Sequence, residues 1–170
     1  GEFVYLLRTS GLAASGLEPD EQFAAFSRDT LAIAVQTGTV ESASVAPDSF
    51  DTVTMFHALE HVADPLGTMQ RIRGWLKPEG LLVIEVPNVD ARCQAPRHRF
   101  HYAHLYSFSS GTLSALGAKA GLTPIKRWLS EDGGNITCVF RRDSRNDSAP
   151  DAMTASGVYE RTRQIIATHA

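Results

Sequence analysis

The 170-residue sequence has few cysteines, no long basic run and no long apolar run. Its two cysteines, Cys93 and Cys138, lie far apart and form no CxxC pair. A disulfide framework is therefore not expected, and a reducing, cytoplasmic setting is the default. The formal net charge of −3, without a basic cluster, argues against nucleic acid or an anionic membrane as the main partner. No apolar stretch approaches the roughly 20 residues that span a bilayer, so no membrane segment is expected.

What remains is the composition of a soluble globular protein, 43% hydrophobic and 21% charged, with enough residues for one domain with a real core. The apolar periodicity predicts the order helix, strand, helix, strand, strand, helix, strand, helix, strand, strand. Alternating strands and helices indicate an α/β fold, a doubly wound and mostly parallel sheet with helices on both faces. The turn at Asp132-Gly133-Gly134 joins the last two strands in an antiparallel hairpin.

The boundaries of these elements follow from turn and cap residues. Predicted strands cover residues 12–17, 31–35, 52–56, 81–86, 123–129 and 135–141, and predicted helices cover residues 2–9, 21–28 and 65–76. A further helix is capped by Ser109 or Ser110 and ends at Gly121. In the helix that follows Asp20, we expect Phe23, Ala24 and Phe26 to face inward. Residues 1–142 are expected to form the domain, and residues 143–170 a linker with a possible terminal helix.

Polar, titratable side chains follow the strand at residues 52–56. His57, Glu60 and His61 stand where that strand ends, and Asp64-Pro65 then starts a helix with an N-cap and a proline at the first position. In open α/β sheets, ligands bind at this end of the strands. His57 is the best candidate for a general base, and a packing or capping histidine is the alternative. His61 is a second catalytic candidate, although it could instead form a structural pair with Glu60.

Three motifs in this order resemble class I S-adenosylmethionine-dependent methyltransferases of the broad bacterial methyltransferase-domain group. Residues 57–62 (HALEHV), with the strand before them and Asp64-Pro65 after them, resemble the region that follows the family's fourth strand. Residues 76–88 (LKPEGLLVIEVPN) are similar to its LKPGG turn and fifth strand, and residues 104–109 (HLYSFS) fit a subgroup pattern. The similarity spans residues 1–141.

The resemblance implies a Rossmann-like fold with S-adenosylmethionine as cofactor and S-adenosylhomocysteine as product. Glu18, at the end of the second family strand, would accept hydrogen bonds from the ribose hydroxyls. Thr39 stands where many members have an acid, which leaves backbone groups of Thr39 or Val40 to contact adenine. The implied cofactor contacts come from Gly1, Glu18, Thr39, Val40, Phe56 and His57. The resemblance also implies a first strand and most of a glycine-rich loop before Gly1, so we expect a fragment of a longer enzyme.

A long polar loop at residues 88–106 is expected to act as a lid or to bind the acceptor. Its candidate acceptor contacts are Arg99, His101, His104 and Tyr106, and a solvated run of charges is the alternative. Three histidines of this loop follow the spacing H-x2-H-x2-H, which is not a standard zinc pattern, so we predict no metal site.

The expected function is methyl transfer to a small-molecule or glycan-type acceptor through an oxygen or nitrogen nucleophile. A non-catalytic or partial methyltransferase-like binding domain of a larger protein is the alternative. A nicotinamide dehydrogenase is a third reading, but the sequence has no matching Tyr-x-x-x-Lys set. The expected partner is the small-molecule acceptor, and a homodimer is left open.

Overall fold

A computed structural model describes residues 1–92 and 102–143 of the chain. The elements follow one another as α1 (Glu2–Thr9), β1 (Gly16–Glu18), α2 (Glu21–Asp29), β2 (Val35–Thr37), β3 (Phe50–Phe56), α3 (Pro65–Trp75), β4 (Leu76–Pro87), α4 (Ser110–Lys119), β5 (Thr123–Leu129) and β6 (Asn135–Arg141). This is the predicted order of helices and strands. The chain divides into two compact units, Gly1–Val45 and Ala46–Ala170, which are described separately below.

The first unit contains a short parallel pair of strands. Gly16 of β1 lies opposite Val35 of β2, and Glu18 lies opposite Thr37. Both strands are shorter than predicted and lie further along the chain. The reason is that only three residues of each segment enter the ladder of backbone hydrogen bonds, whereas an apolar pattern cannot show where that pairing begins.

Helix α2 covers this pair through small side chains. Asp20 caps the helix as predicted, because its carboxylate accepts hydrogen bonds from the amides of Gln22 and Phe23. The buried cluster of this unit consists of Ala24, Ile33 and Val35, with Val4 and Leu31 packed against it. The expectation that Phe23 and Phe26 face inward is wrong, since they are 67% and 55% exposed. The face of α2 that packs inward carries Ala24 and Ser27 instead.

The second unit contains a four-stranded mixed sheet in the order β3-β4-β6-β5. Strands β3 and β4 are parallel, whereas β6 pairs antiparallel with both β4 and β5. The predicted α/β class with a C-terminal antiparallel hairpin is confirmed. One face of β4 forms the centre of the core, because Leu82, Ile84 and Val86 are fully buried.

Helix α3 begins at the predicted point. The Asp64 carboxylate accepts a hydrogen bond from the Gly67 amide, and Pro65 takes the first helical position. The predicted turn at residues 77–80 lies within β4 as an interruption of its pairing, which jumps from Phe50–Leu76 to Thr52–Leu81.

Helix α4 lies between β4 and the final hairpin in the chain. Ser109 is the cap, and its side chain and that of Thr112 form a reciprocal capping box. None of the helices in the described part of the chain is long and apolar enough to cross a bilayer.

Helix α4 packs closely against the sheet at Gly117. A Cβ added there would lie 2.1 Å from Cε1 of Phe140 on β6. We expect Gly117→Ala to lower the free energy of unfolding by about 1–3 kcal/mol through overpacking. Gly74→Ala, also in a helix, meets no atom within 4 Å and should stabilise by about 0.5–1 kcal/mol. Denaturant unfolding of both variants measures the contrast, and equal effects would contradict the assigned contact.

Asp143, which follows β6, is held by two hydrogen bonds. The Thr123 hydroxyl and the Arg141 guanidinium donate hydrogen bonds to its carboxylate and hold the pKa of Asp143 below its usual value. A lowered pKa stabilises the folded state above the unfolded pKa of about 4, and this contribution is lost as the pH falls through the folded pKa. Asp143→Asn should therefore cost about 0.5–1 kcal/mol at pH 7 and progressively less below pH 4. Unfolding curves across this pH range test the prediction, and a cost independent of pH would refute it.

Candidate functional site

In the first unit, Glu18 stands at the end of β1. Its side chain is half-buried, and one carboxylate oxygen accepts a hydrogen bond from the Asp20 amide at 3.0 Å. This contact orients the carboxylate and leaves its second oxygen able to accept hydrogen bonds from a ligand hydroxyl.

Thr39 begins the turn that follows β2. Its amide donates to the Ser42 hydroxyl at 2.9 Å, and its carbonyl accepts from the amides of Ser42 and Ala43. The turn therefore uses both backbone groups of Thr39, while the neighbouring Val40 is half-buried. Gly1 precedes α1, where a Cβ would lie 2.4 Å from the Ser27 hydroxyl oxygen. The cofactor roles of Gly1, Thr39 and Val40 stay predictions.

In the second unit, β3 ends in a conformation that few residues adopt. Phe56 is exposed, and His57 after it has a positive φ of 50° although it is not glycine. Such left-handed backbone costs of order 1–3 kcal/mol and is found preferentially at functional sites. The His57 amide donates to the Glu85 carbonyl at 2.9 Å, which extends the contact between β3 and β4 and holds this geometry in place.

The His57 ring lies between two carboxylates. Its Nε2 is 3.3 Å from Glu85 Oε1, and its Nδ1 is 3.6 Å from Glu60 Oε1. Glu85 is held in turn by the Thr137 hydroxyl, which donates to Oε2 at 2.7 Å. The ring itself is 47% exposed, so it is reachable from solvent while both neighbours are fixed.

Glu60 belongs to a single 3₁₀ turn, Leu59–His61, between β3 and α3. Its side chain is only 2% exposed, yet neither carboxylate oxygen accepts a hydrogen bond from any described residue. Two imidazole nitrogens of described residues lie near Glu60 Oε1, His57 Nδ1 at 3.6 Å and His61 Nε2 at 3.8 Å.

Residues 103–106, the end of the loop, dock onto this turn. The Leu105 and Tyr106 amides both donate to the Glu60 carbonyl, at 2.8 and 3.2 Å. The Tyr106 hydroxyl donates to the Ala63 carbonyl at 3.0 Å. His61 Nδ1 lies 2.9 Å from the Ala103 carbonyl oxygen, and the rings of His61 and His104 meet edge to face at 4.9 Å.

The structure thus gathers four predicted site residues at one place, namely His57, His61, His104 and Tyr106. Arg99 and His101 lie outside the described residues. The prediction for acceptor contacts therefore has structural context only for His104 and Tyr106, and it stays a prediction.

Sequence reasoning missed Glu85. Its signal was present, because it is the one charged residue in the otherwise apolar run of residues 81–86. Acidic side chains are rarely placed in a buried strand without a partner, and here Glu85 faces His57 and Thr137. The arrangement is an exposed imidazole with a fixed carboxylate on either side. It can accept a proton from a hydroxyl or amine, since the carboxylates stabilise the charge that the ring gains.

Comparison with known proteins assigns the sequence to a family. The profile of the family described as "Methyltransferase domain" matches residues 1–127. The ubiquinone biosynthesis O-methyltransferase of Cereibacter sphaeroides is 40% identical over 58 residues, which are 34% of this chain and 24% of that protein. The chain therefore matches about a quarter of the length of that curated relative.

Solved structures agree on the fold. A SAM-dependent methyltransferase of Thermotoga maritima superposes with a TM-score of 0.68 at 22% identity, covering 84% of this chain and 77% of that chain. One from Archaeoglobus fulgidus gives 0.68 at 16% identity, covering 83% and 81%. At such low identity these likenesses establish the Rossmann-like fold alone. The profile match, which spans most of the sequence, shows that the chain belongs to the methyltransferase domain family.

Proposed function

We propose that the protein transfers a methyl group from S-adenosylmethionine to a hydroxyl or amine of a small-molecule or glycan-type acceptor. Membership of the methyltransferase domain family supports the reaction. The local identity to an O-methyltransferase supports an oxygen nucleophile first. The observation that carries the proposal is the strained His57, held between Glu60 and Glu85 at the end of β3.

The chemistry of Glu18 fits the ribose of the cofactor. Its carboxylate ends a parallel strand, and the Asp20 amide holds one of its oxygens in place. A carboxylate so placed can accept hydrogen bonds from the two hydroxyls of a nucleoside. When bound, the cofactor supplies an activated methyl group on a sulfonium, so the protein's main tasks are to orient the acceptor and to receive its proton.

His57 is the residue we assign to the proton. Its ring is accessible, whereas its two carboxylate neighbours are fixed by burial and by the Thr137 hydroxyl. Holding the base rigidly beside the acceptor converts proton removal into an effectively intramolecular step. His61 is less suited to this role because its Nδ1 donates to the Ala103 carbonyl, and its unprotonated Nε2 is turned toward the buried Glu60 carboxylate.

His104 and Tyr106 are the proposed acceptor contacts within the described residues. The Tyr106 hydroxyl donates its hydrogen to the Ala63 carbonyl. We therefore propose that Tyr106 contacts the acceptor with its ring and not with its hydroxyl hydrogen. We propose that these two residues form one wall of the acceptor site.

Replacement of His57 tests the base. We expect His57→Gln to lower kcat by about 10²–10⁴-fold, because general base catalysis is typically worth that factor. A panel of phenols, amines and glycans, with methylated product detected by mass, identifies a working acceptor first. Lys119→Gln, an exposed change on α4, is the matched control and should keep the wild-type rate. A His57→Gln protein with unchanged kcat would exclude this residue as the base.

Replacement of Glu18 tests the cofactor site independently of the acceptor. We expect Glu18→Ala to weaken S-adenosylmethionine binding by about 10–100-fold, since hydrogen bonds to a charged group contribute about 1.5–3 kcal/mol. Titration calorimetry measures the change. Glu21→Gln removes another acid of the same unit, which pairs with Arg28, and should bind as the unaltered chain does. Equal affinities for Glu18→Ala and Glu21→Gln would contradict the ribose assignment.

A further inference from the structure

The Glu60 carboxylate is buried, and no hydrogen bond from a described residue compensates for its burial. Its side chain is 2% exposed, and among the described residues neither oxygen accepts a hydrogen bond. Burying a carboxylate without a partner costs several kcal/mol, so such groups are normally paired with a cation or bound to a metal. The imidazole nitrogens of His57 and His61, at 3.6 and 3.8 Å from Oε1, are too far away for hydrogen bonds but leave room for an ion between ligands.

His61 presents the nitrogen that such an ion would need. A backbone carbonyl can only accept, so the 2.9 Å contact with Ala103 requires the proton of the neutral ring to be on Nδ1. The unprotonated Nε2 then points toward Glu60. Histidine ligands of metals are commonly oriented in this way, through a hydrogen bond from the other ring nitrogen to a carbonyl.

His104 completes a set of three. Each of Glu60, His61 and His104 offers one ligand atom, and all three atoms lie within 4.8 Å of one another. Small side-chain adjustments would bring these atoms to the ligand–ligand distances around a single ion, since metal–ligand bonds are about 2.0–2.2 Å long.

The backbone builds this proximity. Two amides of the returning segment, those of Leu105 and Tyr106, hold the Glu60 carbonyl, and Ala103 holds His61. His104 is therefore placed by hydrogen bonds on both sides of it in the chain.

We propose that Glu60, His61 and His104 form a binding site for one first-row divalent metal ion, with Zn²⁺ as the preferred ion. Two imidazoles and one carboxylate are the ligand set of open zinc sites, which leave a coordination position for an exogenous oxygen. Mg²⁺ and Ca²⁺ prefer all-oxygen surroundings and are excluded by the two nitrogens. Metal binding does not depend on the proposed function. The further step, that the open position takes the acceptor oxygen, rests on it.

Metal binding is tested without cofactor or acceptor. Tag-free chain is titrated with Zn²⁺ in competition with a chromophoric chelator, and Mg²⁺ is titrated in parallel. We expect one equivalent of Zn²⁺ per chain and no competition by Mg²⁺. Addition of Co²⁺ to the wild-type chain should give a visible d–d absorption band, which reports an ordered site without any substitution. Absence of both Zn²⁺ binding and the Co²⁺ band, or binding of Mg²⁺ in place of Zn²⁺, overturns the proposal.

Variants assign the ligands. His104→Gln and Glu60→Gln should each weaken Zn²⁺ binding by about 100-fold or more. Lys119→Gln, an exposed change on α4, is the control and should keep one equivalent. Circular dichroism confirms that each variant is folded. Wild-type affinity in His104→Gln or in Glu60→Gln refutes the assignment. Methyl transfer is measured separately, so an inactive chain that still binds Zn²⁺ would count against the proposed function alone.

Discussion

The Glu60 carbonyl is the point on which the second unit's polar centre depends. It accepts hydrogen bonds from two amides near the end of the loop, those of Leu105 and Tyr106, and this contact sets His104 against the 3₁₀ turn. The side chain of Glu60 ends in the buried carboxylate. One residue therefore anchors a chain segment through its main chain, while its side chain lies near the imidazoles of His57, His61 and His104.

The end of β3 adds a second constraint. His57 accepts an unfavourable backbone conformation, and the hydrogen bond from its amide to the Glu85 carbonyl holds it there. Glu85 accepts a hydrogen bond from Thr137 of β6, so the antiparallel hairpin contributes to the surroundings of His57 although it lies far away in the sequence. The parallel pair β3–β4 thus positions His57, and an antiparallel strand orients the carboxylate beside it.

Local signals in the sequence predicted much of this architecture. The helix caps accept hydrogen bonds from backbone amides two or three residues away, as Asp20, Asp64 and Ser109 show. Their effect can therefore be predicted from the local sequence. The orientation of Phe23 and the lengths of β1 and β2 depend on distant partners. The predictions for these features were wrong. At the candidate site, His57 and His61 could be named from their position after a strand. The approach of Ala103 to His61 could not, because 42 residues separate them.

Three of the contacts that dock residues 103–106 use main-chain atoms of that segment, namely the Ala103 carbonyl and the Leu105 and Tyr106 amides. Their geometry is indifferent to which side chains residues 103 and 105 carry. The side chains of this segment can therefore change while its position is kept, and the exposed Leu105 is the place to vary the surface of the proposed acceptor wall.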